Sequence, residues 1–153
     1  MVPLRQNMDD STNNIEILKQ LGERLLEPEL YNQIVERLPD ALIVIDREGR
    51  IVIFNDQATL MFNYHPSEVI GGPLSMLIPE QLRIQHDAHL QRWFDEPRAR
   101  PMGLGLTLQG ISKDNRIFSV EINLSPLIAP SGIYGMAVIR RPKVGETSSH
   151  VRT

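Results

Sequence analysis

The sequence predicts an α+β domain whose antiparallel sheet is covered on one face by helices, and three observations point there. Two β-branched runs, Leu42-Ile43-Val44-Ile45 and Ile51-Val52-Ile53-Phe54, lie close enough together to form a hairpin. Three further β segments follow one another in the C-terminal half, centred on 104–108, 118–125 and 133–139. Between the two groups stand several short helical pieces and one longer helix. Runs of strands separated by helices favour α+β over the strict strand–helix alternation of a parallel sheet.

Composition agrees with one globular unit. The chain has 153 residues, with 41% hydrophobic and 23% charged, which is enough apolar material to bury a core and argues against wholesale disorder. There is no cysteine, so disulfides, thiolate metal sites, cysteine nucleophiles and sulfur-attached cofactors are all excluded. A net charge of −3 gives no electrostatic footprint for nucleic acid or an acidic membrane surface. Met1-Val2-Pro3-Leu4-Arg5 does not open a secretory signal, and no run approaches the roughly 20 apolar residues that span a bilayer. A soluble, cytoplasmic protein is expected.

The elements follow in order. Residues 1–13 are polar and read as a disordered tail. Asn13-x-x-Glu16 has the spacing of a capping box, after which Ile17, Leu18, Leu21 and Leu25 recur at helical intervals. Pro28 interrupts that helix and can start another, carrying Leu30, Ile34 and Leu38 and ending at Pro39. Residues 14–38 therefore form two amphipathic helices, packed either on their own domain or against a second copy. Asp46-Arg47-Glu48-Gly49-Arg50 turns the first hairpin, with glycine where a positive φ is needed. Helical pieces come next: 57–62, a turn at Pro66-Ser67-Glu68, the double glycine Gly71-Gly72, then 74–78. Pro79 opens the long helix to about Asp95, which Pro97 and Pro101 close. In the last group Phe118, Val120, Ile122 and Leu124 alternate with polar residues, as a half-buried antiparallel strand does. Lys113-Asp114-Asn115-Arg116 makes its hairpin turn, with Asn115 tolerating the left-handed conformation. Residues 133–139 are apolar on both faces, which marks a central strand. Residues 142–153 read as a flexible tail.

Laid out this way, residues 31–141 resemble the PAS sensory domain family. The resemblance is carried by Leu38-Pro39-Asp40-Ala41, Asp46-x-x-Gly49-x-Ile51, Phe54-Asn55, Phe62-x-Tyr64, Glu68-Val69-Ile70-Gly71, Leu77-Ile78-Pro79, Lys113-Asp114 and Phe118-x-Val120-Glu121-Ile122. Each fragment is weak alone; in order and at compatible spacing they are specific. The resemblance implies a PAS domain over 39–141 with a five-stranded antiparallel sheet, helices on one face and an internal pocket. It also implies ligand or cofactor binding, homodimerisation, and a signalling partner such as a histidine kinase or transcription regulator. Asn55, just after a strand and before a helical piece, reads independently as a helix cap, and Asp46 as a turn residue.

On the long helix, at 100° per residue from Leu82, His86 falls near about 40°, His89 about −20°, Leu90 about 80° and Trp93 about 20°. Both histidines therefore share the apolar stripe that faces the sheet, and a neutral imidazole there is a good haem-iron ligand. Pro79-Glu80-x-x-Arg83-x-x-His86-Asp87, with Arg92, is similar to this helix in the haem-binding PAS domains of bacterial oxygen sensors. That similarity implies His86 as proximal ligand to a haem b, with His89 lining the pocket. One departure matters: after Gly103-Leu104-Gly105 those sensors carry an arginine that bonds oxygen, whereas this chain has Leu106, which cannot donate. The plainer reading of His86 and His89 is a half-buried pair bonded to neighbouring groups. A non-covalent flavin is the other cofactor considered.

Other chemistries find little support. His86 and His89 without a carboxylate or thiolate set are too few for a structural metal site. His86-Asp87 lacks the rest of a phosphoacceptor motif, and Leu108 stands where a dinucleotide loop needs its third glycine. Asn123-Leu124-Ser125 matches a glycosylation triplet but sits in a strand. With no catalytic constellation in view, the expected protein is a sensor and not an enzyme. Its pocket is expected to be lined by Ile43, Ile45, His86, His89, Trp93, Leu106, Leu108, Ile122, Leu124 and Val138. Three readings stand: a small-ligand sensor, a haem-based gas or redox sensor, and an interaction module whose pocket is filled by its own side chains.

Overall fold

The structure, a computed structural model, describes residues 15–17, 27–99 and 108–143. The chain divides into two compact units after Arg37. In the first, residues 15–17 are helical, and α1 (Pro28–Arg37) starts at its proline. Glu29 in the first turn and Arg37 in the last both complement the helix dipole. Leu30, Tyr31 and Ile34 are exposed on it. The expected heptad positions Leu18, Leu21 and Leu25 lie outside the described residues.

The second unit holds the sheet. Its strands are β1 (Ala41–Ile45), β2 (Ile51–Phe54), β3 (Leu108–Ile111), β4 (Ile117–Ala129) and β5 (Gly132–Arg140). All neighbouring pairs are antiparallel, in the order β2-β1-β5-β4-β3. The five-stranded antiparallel sheet expected from the sequence is thus present. β5 lies at its centre, as its two-sided apolar character requires. β1 is buried along its whole length, and its turn is held by Asp46, whose Oδ1 accepts from the backbone N–H groups of Glu48 (3.0 Å) and Arg50 (2.9 Å). Gly49 takes φ +79° there, and Asn115 takes φ +62° in the later hairpin.

Between β2 and β3 run α2 (Asp56–Phe62), α3 (Pro66–Val69), two 3₁₀ turns (Leu74–Leu77 and Glu80–Leu82) and α4 (Arg83–Asp95). Two details differ from the sequence reading. Pro66-Ser67-Glu68 is not a bare turn but one turn of helix, because His65 caps it: its ring accepts from Ser67 N–H, and Glu68 reaches back to the His65 N–H at 2.8 Å. Pro79 opens a 3₁₀ turn, and the α-helix proper begins only at Arg83, whose Nε donates to the Ile78 carbonyl at 3.0 Å. Gly71 and Gly72 lay the intervening chain beside β2, with Gly71 N–H donating to Ile51 (2.7 Å) and Ile51 N–H donating to Gly72 (2.9 Å). That contact helps seat the 3₁₀ turn of Leu74–Leu77, whose Leu74 and Leu77 line the cavity on the sheet's inner face. Ile43, Ile51, Val69, Leu77 and Val120 are essentially inaccessible and mark the core.

Candidate functional site

One face of the sheet and the inner side of α4 bound a cavity of about 180 Å³. Its floor follows from strand register. Ile43 pairs with Ala137, which pairs with Leu124, and this row crosses three strands on one face. Ile139 and Ile122 form the next row. One end is closed by Phe62 and by Leu74, Leu77 and Ile78 from the 3₁₀ turn. The roof is α4, which contributes His86, His89, Leu90 and Trp93. Those are the four side chains that helical periodicity places on one stripe.

Two glycines let the walls close. A Cβ at Gly110 would stand 2.9 Å from Phe62 Cε1, so only glycine leaves room for that ring, which also meets Phe118 at 5.3 Å between centroids. A Cβ at Gly135 would lie 3.3 Å from Trp93 Cζ3 and 3.2 Å from Ile45 Cγ1, so the indole packs directly on β5 backbone. Trp93 is fixed further by its Nε1, which donates to the Arg98 carbonyl at 2.9 Å, and by an edge-on Phe94 at 5.0 Å.

His86 is the unusual group. It is half-buried in an apolar wall, and its Nδ1 is buried with no hydrogen-bond partner among the described residues. Loss of solvent pushes its pKa below the ordinary imidazole value; neighbouring His89 adds to this, while Asp87 opposes it. The ring is therefore neutral at pH 7, and no partner at Nδ1 fixes its tautomer. Buried polar atoms are rarely left unpaired, so this one calls for a partner. His89 sits differently: it lines the cavity but is largely exposed, and with Leu108 and Gln109 it forms the rim. Among the described residues, no Lys, Arg, Asp or Glu lines the cavity, and no group of three or more metal-ligating side chains occurs. None of the described helices is long and apolar enough to cross a membrane.

Of the pocket residues expected from sequence, Ile43, Ile45, His86, His89, Trp93, Leu108, Ile122 and Leu124 line the cavity. Leu106 lies outside the described residues. Val138 is a correction: it pairs with Leu42 and Asn123 on the opposite face, and Ala137 and Ile139 take the inward places. A strand apolar on both sides carries no alternation from which to choose its parity. Leu74, Gln109 and Gly110 were missed, and so was Phe62, although Phe62-x-Tyr64 carried part of the resemblance. Leu77-Ile78 carried part of the resemblance, Leu90 shared the helical stripe, and Val120 continued the alternation of Ile122 and Leu124, so signals for these four existed. The expected capping role of Asn55 is met: its Oδ1 accepts from Ala58 N–H at 3.0 Å at the start of α2.

Comparison with known proteins places this geometry. Over 107 residues the chain is 28% identical to the sensor protein FixL of Bradyrhizobium diazoefficiens, an alignment covering 70% of this chain and 21% of that protein. Over 102 residues it is 29% identical to the oxygen sensor protein DosP of Escherichia coli, covering 67% and 13%. The chain thus spans about a fifth or less of these relatives. A crystal structure of a PAS domain from a two-component sensor histidine kinase superposes with a TM-score of 0.63 at 15% identity, covering 76% of this chain and 97% of that one. The profile of the PAS fold matches residues 29–142, three quarters of the sequence, and the chain belongs to the PAS fold family.

Proposed function

We propose that this PAS domain is a sensory module that binds a small ligand in the cavity between α4 and the sheet and relays the event to a signalling partner. The observation that carries this reading is a half-buried imidazole, its Nδ1 without a hydrogen-bond partner among the described residues, in the wall of a largely apolar cavity. The mechanism is a population shift: a ligand that touches both α4 and the sheet favours the arrangement in which the two are closed on it. His86, His89, Trp93, Leu108, Ile122 and Leu124 are its binding residues. The test is the melting temperature of the full chain against a panel of metabolites. A ligand that binds only the native state raises the melting point with concentration. No response across the panel would favour the rival reading, an interaction module with a self-filled pocket.

Haem is the second reading, favoured by the neutral imidazole of His86 and by similarity to a protein named as an oxygen sensor. The ligating group suits haem; its surroundings do not. A metal-bound imidazole usually donates its other ring N–H to a carboxylate or carbonyl, and Nδ1 of His86 has no such partner among the described residues. A cavity of about 180 Å³ is on the scale of one ring, not a four-ring macrocycle. The visible spectrum, before and after haem is added, tests this reading. A Soret band abolished in His86→Ala supports it, and a colourless protein that takes up no haem dismisses it.

Homodimerisation through residues 14–38 is part of the same proposal. It is supported by the apolar side chains Leu30, Tyr31 and Ile34, exposed on α1. A kinase or transcription regulator is the class of partner such a module would serve.

A further inference from the structure

The cavity's size, its lack of charge and the half-buried histidine of its roof together restrict what it can hold, and this step rests on the ligand-binding reading above. We propose that the ligand is an uncharged molecule of about one six-membered ring, bearing a single hydroxyl or carbonyl group that hydrogen-bonds to His86.

Size comes first. The cavity, open at its rim, has a volume of about 180 Å³, below the roughly 300–1,000 Å³ of pockets for drug-sized compounds. It is close to the dry cavities of about 150 Å³ that accept benzene or xenon. One ring fits within that volume, whereas a nucleotide or a flavin exceeds it.

Charge comes second. No Lys, Arg, Asp or Glu among the described residues faces the interior, and the floor is built of Ile, Leu, Val and Ala side chains. An ion brought here would lose its water and gain no counter-charge, which costs more than apolar contact returns. The nearest carboxylate in sequence, Asp87, is exposed and does not line the cavity.

The polar group comes third. His86 is the one polar side chain of the roof that is not exposed, since His89 and Gln109 sit at the rim. With no partner at Nδ1 its tautomer is not fixed there, so the ring's other nitrogen can accept from a ligand hydroxyl or donate to a ligand carbonyl. A ring without any polar group would offer the imidazole no hydrogen bond. The site therefore prefers a ring with one such group over a hydrocarbon of equal size.

The chain contains a single tryptophan, Trp93, and it lines the cavity, so the protein carries its own reporter. The experiment titrates the full chain with phenol, toluene, benzoate and haem. It follows Trp93 emission, excited on the red edge of the indole band, together with the melting temperature. Phenol is expected to shift both saturably. Toluene should bind about fivefold more weakly, the worth of one neutral hydrogen bond, and benzoate at pH 7.5 should have no effect at the same concentration. In His86→Leu the preference for phenol over toluene should fall to about one, while His86→Gln, which keeps a polar end, should retain part of it. Ala137→Leu, which adds side-chain volume at the floor, should abolish the response to both. Tightest binding by benzoate, or a Soret band with haem and no response to the neutral rings, would overturn this ligand class and leave the sensory reading standing. Silence toward all four probes would overturn both.

Discussion

Asn55 is fully buried and holds three backbone groups with one side chain. Its Oδ1 accepts from Leu42 N–H at 2.8 Å and from Ala58 N–H at 3.0 Å, and its Nδ2 donates to the Asp40 carbonyl at 3.1 Å. It therefore joins the entry of β1 to the start of α2. Asn55→Ala would strand these groups away from water and is expected to lower the unfolding free energy by about 3 kcal/mol in urea titrations. Its capping role could be read from its place between strand and helix. Its other two bonds could not, because they depend on residues 40–42 being brought alongside by the fold. His86 gives a second prediction at this scale. Its pKa is lowered by burial, so the unfolded chain takes up a proton before the folded one does as pH falls. The melting temperature should hold steady above about pH 7 and decline as pH drops below about 6.5. His86→Leu should flatten the upper part of that decline; a wild-type curve unchanged between about pH 7 and 5 would contradict the buried, neutral ring.

Among the elements, α4 was the most legible, because one stripe at 100° per residue carries His86, His89, Leu90 and Trp93 and all four reach the cavity. β5 was half legible: its central place followed from two apolar faces, but the same property concealed which of Ala137 and Val138 points inward. α3 was not legible as a helix, since it is a single turn whose cap is a histidine ring. The end wall formed by Phe62 shows how elements fix one another. Lys113 N–H donates to the Phe62 carbonyl at 2.9 Å, tying the β3–β4 hairpin to the end of α2, and Gly110 on β3 makes space for the Phe62 ring. Gly110→Ala would bring a methyl 2.9 Å from that ring. Overpacking of this kind is expected to cost about 1–3 kcal/mol, measured by thermal or denaturant unfolding. A variant as stable as the wild type would mean that Phe62 can move aside freely.

The second unit combines a five-stranded sheet with a helical roof that, among the described residues, touches it through few polar contacts. The tie from α4 to the first hairpin is the exposed Arg47–Asp95 pair at 3.3 Å, and such pairs add little stability. Apolar packing around the cavity is left to hold the roof, which suits the proposed mechanism, in which a ligand would set the distance between helix and sheet. The family and the strand pattern were legible because sheet and helix periodicities were each sustained over several residues. The cavity's volume and the missing partner of Nδ1 were not, since both are properties of three-dimensional packing. On the same scale, exposed Leu30 and Ile34 predict self-association. Light scattering should give a dimer mass for the wild type and a monomer mass for Leu30→Glu with Ile34→Glu; equal masses for the two would remove the dimer from the account. The central claim, an apolar chamber under α4 with His86 in its roof, is tested most directly by crystals pressurised with xenon, which settles in dry cavities of this size. The account predicts a xenon peak bounded by Ile43, Leu124, Ala137, His86 and Trp93; a sheet and helix in direct contact, with no xenon between them, would contradict it.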